Sequence, residues 1–206
     1  FTPAEQEKLT RVMAGMGMMA DLSRADVLLY APAAQGQLQV LAHARPHSIP
    51  PVHVASLRGS SVSADQQPLV RGATARRLLW RGSRLLDRKG APIKQEVLPV
   101  FGDDGKPLAA LCVETNLIEH ERHRRRSKVF QRALRQFQEG VARGALPALE
   151  QLSPFGEHDG ILVVDVLGRI RYMSGIATNL YRKLGFMGDI LGRKVSELET
   201  ADADLL

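Results

Sequence analysis

The chain has 206 residues, 44% hydrophobic and 24% charged, a balance typical of globular proteins with one large or two small domains. No apolar run approaches the ~20 residues of a membrane span. There is no basic-then-apolar leader, and the single cysteine, Cys112, excludes an internal disulfide. A cytoplasmic location is therefore expected.

Residues 2–22 are predicted to be helical. Thr2 suits the N-cap, Pro3 the first helical position, and Glu5 completes a capping box. Leu9, Val12, Met13, Met16, Met19 and Ala20 fall on one face, and we read this Met-rich stripe as packing surface. Residues 26–31 and 38–44 alternate as strands around a polar turn at Gln35-Gly-Gln37. The Pro- and His-rich stretch 45–64 is expected to be irregular, and a short helix to span 66–77. Strands follow at 93–101 and 108–115, joined by the Gly102-Asp-Asp-Gly-Lys106 turn. The second strand is apolar throughout, which suggests a central place in a sheet and an inert, buried Cys112.

Asn116 is placed to cap an unbroken helix over 116–142. Its first half, Glu121 to Arg126, lacks apolar residues and should be solvated. In its second half Phe130, Ala133, Leu134, Phe137 and Val141 form a stripe wide enough for a helix contact. Gly144, Pro147 and Ser153-Pro154 mark a boundary. Beyond it, Asp159 to Ser174 reads as a β-hairpin turning at Val166-Leu-Gly-Arg169. A helix-like segment, Ile176 to Leu184, and Gly188-Asp-Ile-Leu-Gly-Arg-Lys-Val-Ser-Glu-Leu198 come next.

The net charge of +6 is uneven. Residues 117–143 hold eight Lys/Arg against three Glu, and residues 71–94 hold eight against one Asp, so the remainder is acidic. The only aromatics in these basic segments are Trp80, Phe130 and Phe137. A nucleic-acid binder would place more aromatics or a reading helix there, so nucleic acid is not the expected partner.

The hairpin and the short helices after it resemble the opening half of a PAS sensory domain. The ordered set of Ala20 to Tyr30, Val40 to Pro46, Gln67 to Val70, Glu96 to Gly102, the basic helix and the hairpin resembles the N-terminal sensor region of cytosolic two-component sensor histidine kinases. The resemblance implies an α+β architecture. A GAF-like antiparallel sheet with packed helices would occupy residues 1–143, with 116–142 as connecting helix, then a linker over 144–154 and a truncated PAS domain over 155–206. It further implies a small-molecule input, a homodimer formed through helices, and a cognate response regulator, often of the RNA-binding ANTAR type. The phosphoacceptor and ATP-binding modules of the class have no counterpart here, so this fragment is expected not to be an enzyme. The alternative is the sensory front end of a nucleic-acid-binding regulator.

Other chemistry is weakly signalled. His43, His47 and His53 cluster in sequence, but Arg45-Pro46 prevents a shared helix face, and Asp65 is the one acidic residue close by in sequence. We read them as surface loop histidines, and His120 and His123 as part of a solvated basic face. Gly15-Met-Gly lacks the Lys-Ser/Thr of a phosphate loop. Asp103-Asp104 reads as a turn, and Gly156, Gly160 and Gly168 as hairpin turn glycines. Residues 155–206 have no cysteine for flavin photochemistry, and His158 precedes the region where haem ligation would need it. No cofactor, metal site or catalytic group is therefore assigned. The candidate functional residues are the stripe Phe130, Ala133, Leu134, Phe137 and Val141, as a signal-transmitting surface.

Overall fold

The computed structural model describes residues 1–76, 80–85, 92–116, 119, 127–156, 158–198 and 200. They divide into two compact units, Phe1–Arg124 with Leu134–Phe155, and Arg125–Ala133 with Gly156–Leu206.

The first unit opens with helix α1 (Pro3–Ser23). The Thr2 hydroxyl accepts from the Glu5 N–H at 3.3 Å, and the Glu5 carboxylate accepts from the Thr2 N–H at 2.7 Å. This reciprocal pair satisfies two N–H groups that a helix start leaves orphaned. Arg24, in the left-handed conformation at φ 51°, ends the helix by returning its N–H to Ala20 and Asp21. Leu9, Val12, Met16, Met19 and Ala20 are buried, as their spacing predicts, while Met13 is half-buried.

Six strands follow: β1 (Asp26–Pro32), β2 (Gln37–Ala44), β3 (Ser61–Ser63), β4 (Trp80–Leu85), β5 (Pro92–Phe101) and β6 (Pro107–Asn116). They form one sheet in the order β3-β2-β1-β6-β5-β4, antiparallel at every step. The α+β class and the antiparallel sheet expected from the resemblance are thus present. Strand β6 is central, and Leu108 to Thr115 are all buried. A strand covered on both faces has no need of polar alternation. Two strands escaped the sequence reading. β3 is only three residues long and sits inside the segment read as irregular. β4 lies in the basic stretch 71–94, where charge hides the pattern.

One sheet face packs against α1. Val27, Leu29, Ala31, Val100, Leu111 and Val113 meet Val12, Met16 and Met19 there. The opposite face carries Leu28, Tyr30, Leu38, Val40, Val97, Ala110 and Cys112. It is covered by Leu57, by Val62 and by Val70 and Ala73 of helix α2 (Pro68–Arg76). Residue-by-residue alternation along β2 fails at a bulge, because Leu29 pairs with Ala42 but Tyr30 with Val40. The extra residue, Leu41, flips the side-chain parity of the rest of the strand. His43 therefore lies on the same face as Leu38 and Val40.

The expected unbroken helix over 116–142 is corrected. The Asn116 carboxamide does accept from the Glu119 N–H at 2.9 Å. Ser127, however, is not helical, and helix α3 spans Lys128–Ala142. The Ser127 hydroxyl accepts from Val129 N–H at 3.2 Å, and its carbonyl from Gln131 N–H at 3.0 Å. A serine so placed caps the helix that follows it. Arg122 to Arg126, His120 and His123 lie outside the described residues. In the first unit Val141 is buried in the core beneath α1, and Phe137 packs against that core while half-buried.

The second unit contains a hairpin of β7 (Leu162–Val164) and β8 (Ile170–Met173). Asp165 organises the turn by accepting N–H bonds from Leu167 at 2.9 Å and Arg169 at 3.0 Å. The Arg169 bond foremost, helped by Leu167 and the Arg171 charge, holds this carboxyl below its ordinary value. Gly168 supplies the left-handed corner at φ 72°. Ser174 caps helix α4 (Gly175–Lys183) through the Ala177 N–H. Ile170, Tyr181, Ile190, Val195 and Leu198 form a small core. Phe130 is buried and lies 5.3 Å from the Tyr172 ring. Gly160 is not a turn glycine: a Cβ there would sit 2.8 Å from the Ala177 Cα, so its role is close approach to α4.

Two glycines of α1 give contrasting expectations. A Cβ on Gly15 would lie 2.9 Å from Val141 and Leu149 side-chain carbons, whereas one on Gly17 meets nothing within 4 Å. Gly15→Leu is expected to destabilise the first unit by at least about 1–3 kcal/mol through overpacking. Gly17→Ala is expected to stabilise by up to about 1 kcal/mol through helix propensity. Urea unfolding of both variants checks this, and equal effects of the same sign would contradict it.

Candidate functional site

The site begins with three side chains placed in a row by strand register. Asp26 on β1 stands opposite Glu114 on β6, and Glu114 opposite Gln95 on β5. All three are fully buried, on the face away from α1. Two carboxylates opposite one another in an interior repel and lose hydration. They persist here because donors converge on both.

Asp26 takes three. Its Oδ1 accepts from Val52 N–H at 2.8 Å, and its Oδ2 from His53 N–H at 3.0 Å and from His43 Nε2 at 3.1 Å. Glu114 Oε2 lies 2.6 Å from His53 Nε2, and its Oε1 accepts from Gln95 Nε2 at 2.6 Å. The Cys112 thiol reaches Glu114 Oε1 at 3.8 Å. Gln95 Nε2 also donates to Gln67 Oε1 at 3.2 Å, and Gln67 Nε2 donates to the Tyr30 hydroxyl at 3.5 Å. A chain of polar groups thus crosses this face from His43 to Tyr30. The Gln95 carbonyl oxygen is buried and has no partner among the described residues.

The segment from Arg45 to Ser60 forms a strap held to the sheet mainly through these acids. His47 N–H donates to Asp21 Oδ1 at 2.7 Å, and its ring nitrogen approaches the same carboxylate at 3.0 Å. Leu57 N–H donates to His43 Nδ1 at 3.1 Å. Because Nδ1 accepts a backbone N–H, the proton of a neutral His43 ring sits on Nε2, where it donates to Asp26.

The reading of the histidines as surface loop residues holds for His47 and is corrected for His43 and His53. His43 is on a strand, and its side chain has 0% exposure; that of His53 has 16%. Only the His47 side chain, at 57%, is open to solvent. Their acids, Asp21 on α1, Asp26 on β1 and Glu114 on β6, lie 17 to 61 residues away in sequence, so searching near the histidines found only Asp65. The signals available were the charged Asp26 and Glu114 at the ends of otherwise apolar strands. No cluster of three His, Cys, Asp or Glu arranged to hold a metal ion occurs among the described residues. Asp103 and Asp104 form the expected turn, in which Asp104 accepts from Lys106 N–H at 2.9 Å.

Cavities among the described residues lie elsewhere. One of about 290 Å³, in the first unit, is lined by Leu98, Pro99 and Phe101 of β5 and by Arg135, Glu139 and Ala142 of α3. Another, about 530 Å³, lies within the second unit beside Tyr172, Tyr181 and Phe186. The stripe residues Phe130 and Val141 are buried, while Ala133, Leu134 and Phe137 are half-buried.

Residues 1–133 match the family described as the GAF domain of histidine kinase PdtaS. The chain belongs to this family. It is also similar to a solved sensor region of a sensor histidine kinase, at 25% identity and a TM-score of 0.69, over 97% of this chain and 70% of that one. An IclR homolog from Microbacterium hydrocarbonoxydans, complexed with 4-hydroxybenzoate, aligns at 10% identity and a TM-score of 0.46, over 68% of this chain and 69% of that one. The C-terminal domain of a putative transcriptional regulator from Vibrio cholerae aligns at 9% identity and a TM-score of 0.45, over 70% of this chain and 99% of that one. No curated protein matches. The GAF domain is thus a sensor domain of a histidine kinase. Among the described residues, no helix is long and apolar enough to cross a membrane.

Removing Asp26 strands three donors, so Asp26→Ala is expected to cost about 3–5 kcal/mol. His47→Ala, at an exposed ring whose backbone N–H still satisfies Asp21, is expected to cost no more than about 0.5 kcal/mol. Chemical denaturation measures both, and a near-neutral Asp26→Ala would refute the pinning role.

Proposed function

We propose that residues 1–206 form the signal-input region of a two-component histidine kinase, with the GAF domain followed by a PAS-type unit over 155–206. The match of residues 1–133 to the histidine-kinase GAF family carries this reading. The hairpin β7–β8, the following α4 and the small core around Tyr181 support the PAS-type assignment.

In this reading a small ligand acts on the polar face of the GAF sheet. The buried Gln95 carbonyl, lacking a partner among the described residues, is an acceptor that a ligand N–H or O–H would satisfy. A ligand shifts the population only if it prefers one arrangement of that face. α3 then transmits the change through Phe130, Ala133, Leu134, Phe137 and Val141, whose burial differs along one amphipathic helix. A homodimer formed through helices, a kinase module elsewhere in the parent protein and a response regulator, of the ANTAR type, complete the proposal. The chain by itself transfers no phosphate.

The test uses the complete reading frame and labelled ATP. The parent is expected to label a histidine outside residues 1–206, and Phe137→Ala is expected to change the rate at least severalfold. The chain 1–206 alone is expected to take no label. A parent that labels no histidine would overturn the kinase assignment. A Phe137→Ala parent that labels at the unaltered rate would overturn the role of α3.

A further inference from the structure

We infer that His43 is a proton-operated latch on Leu57, which closes the strap over the buried polar face of the GAF sheet. The inference goes beyond the kinase reading and stands or falls on the chain itself.

The geometry fixes the latch. In a sealed position, His43 spends both ring nitrogens: Nε2 donates to Asp26, and Nδ1 accepts from the Leu57 N–H. The second bond requires an unprotonated Nδ1. Proton uptake there would set two N–H groups against each other at the 3.1 Å now spanned by one bond. The first bond survives and gains charge, because Asp26 faces an imidazolium. Protonation therefore separates the two ends of the strap. Val52 and His53 stay pinned on Asp26, while Leu57 is let go.

The groups facing His43 set how it responds. Asp26 from β1 favours the charged ring. The His53 ring, edge-on at 5.7 Å between centroids, opposes a second positive charge. Glu114 from β6 acts beyond it, through His53. Arg45, two residues along, points its guanidinium to the Val54 carbonyl. What is released matters because the Leu57 side chain packs against the cluster that holds Leu28, Tyr30 and Cys112, as part of the cover of that face. Gly59 and Ser60 remain tied to Val40 by backbone bonds, so the motion is a local opening bounded on both sides.

The direction in pH comes from proton counting. The closed latch holds His43 neutral at Nδ1 and the open one binds one proton more, so latch stability is lost as pH falls. As pH falls, protection of the Leu57 amide is expected to fall by up to about tenfold per pH unit.

The test is NMR on the unaltered chain with labelled histidine, read alongside amide exchange. At neutral pH His43 is expected as the Nε2–H tautomer. On acidification, Leu57 is expected to lose protection with the midpoint of His43, while Val52, His53 and the β6 amides keep theirs. An Nδ1–H tautomer, or loss of protection at Leu57 and β6 together, would overturn the latch. His43→Gln can donate to Asp26 and accept from Leu57 without titrating. It is expected to hold Leu57 closed across the same range. A pH response at Leu57 that persists in His43→Gln would also overturn it.

Discussion

Two acids that face each other across the interior of the GAF sheet dominate its design. Asp26 and Glu114 are cross-strand neighbours, and neither reaches solvent. Each would be untenable alone, since an unpaired buried charge costs several kcal/mol. The solution is to bring the donors to them. Asp26 collects two backbone N–H groups and a ring nitrogen, and Glu114 collects a histidine and a glutamine. Because most of these donors belong to the strap, satisfying the charges and covering the sheet are one event. The strap needs no regular secondary structure of its own.

The two faces of the sheet consequently have different characters. The α1 face is a hydrocarbon core, built from Met16, Met19, Leu29, Leu111 and their neighbours. The opposite face mixes Leu28, Val40 and Val97 with a directional polar chain. A hydrocarbon core resists rearrangement because it is close-packed. A polar chain can change partners at little cost when each bond broken is replaced by another.

Much of this architecture was legible in the sequence. The capping box at Thr2 to Glu5 fixed the first helix, the apolar run 108–115 marked a central strand, and the hairpin at 159–174 was signalled by its turn. What was missed has physical causes. The bulge at Leu41 reverses the side-chain parity of β2 and turns His43 onto the polar face, which a local sequence pattern does not signal. The partners of His43, His47 and His53 are 17, 26 and 61 residues away, beyond any local pattern. Ser127 caps the start of α3 through a side-chain bond that composition does not reveal. Gly160 is required by the approach of α4, a contact invisible before the chain is folded. The stripe residues on α3 differ in burial, from enclosed Phe130 and Val141 to half-buried Phe137.

Histidine and carboxylate pin the strap to the sheet as a coupled pair rather than as separate packing residues. A double-mutant cycle between His53 and Glu114 tests this coupling most directly, using His53→Ala, Glu114→Ala and both together in urea unfolding. An interaction energy of about 1–3 kcal/mol is expected, because the first substitution already removes what the second would disturb. Additive effects, within about 0.5 kcal/mol, would contradict it.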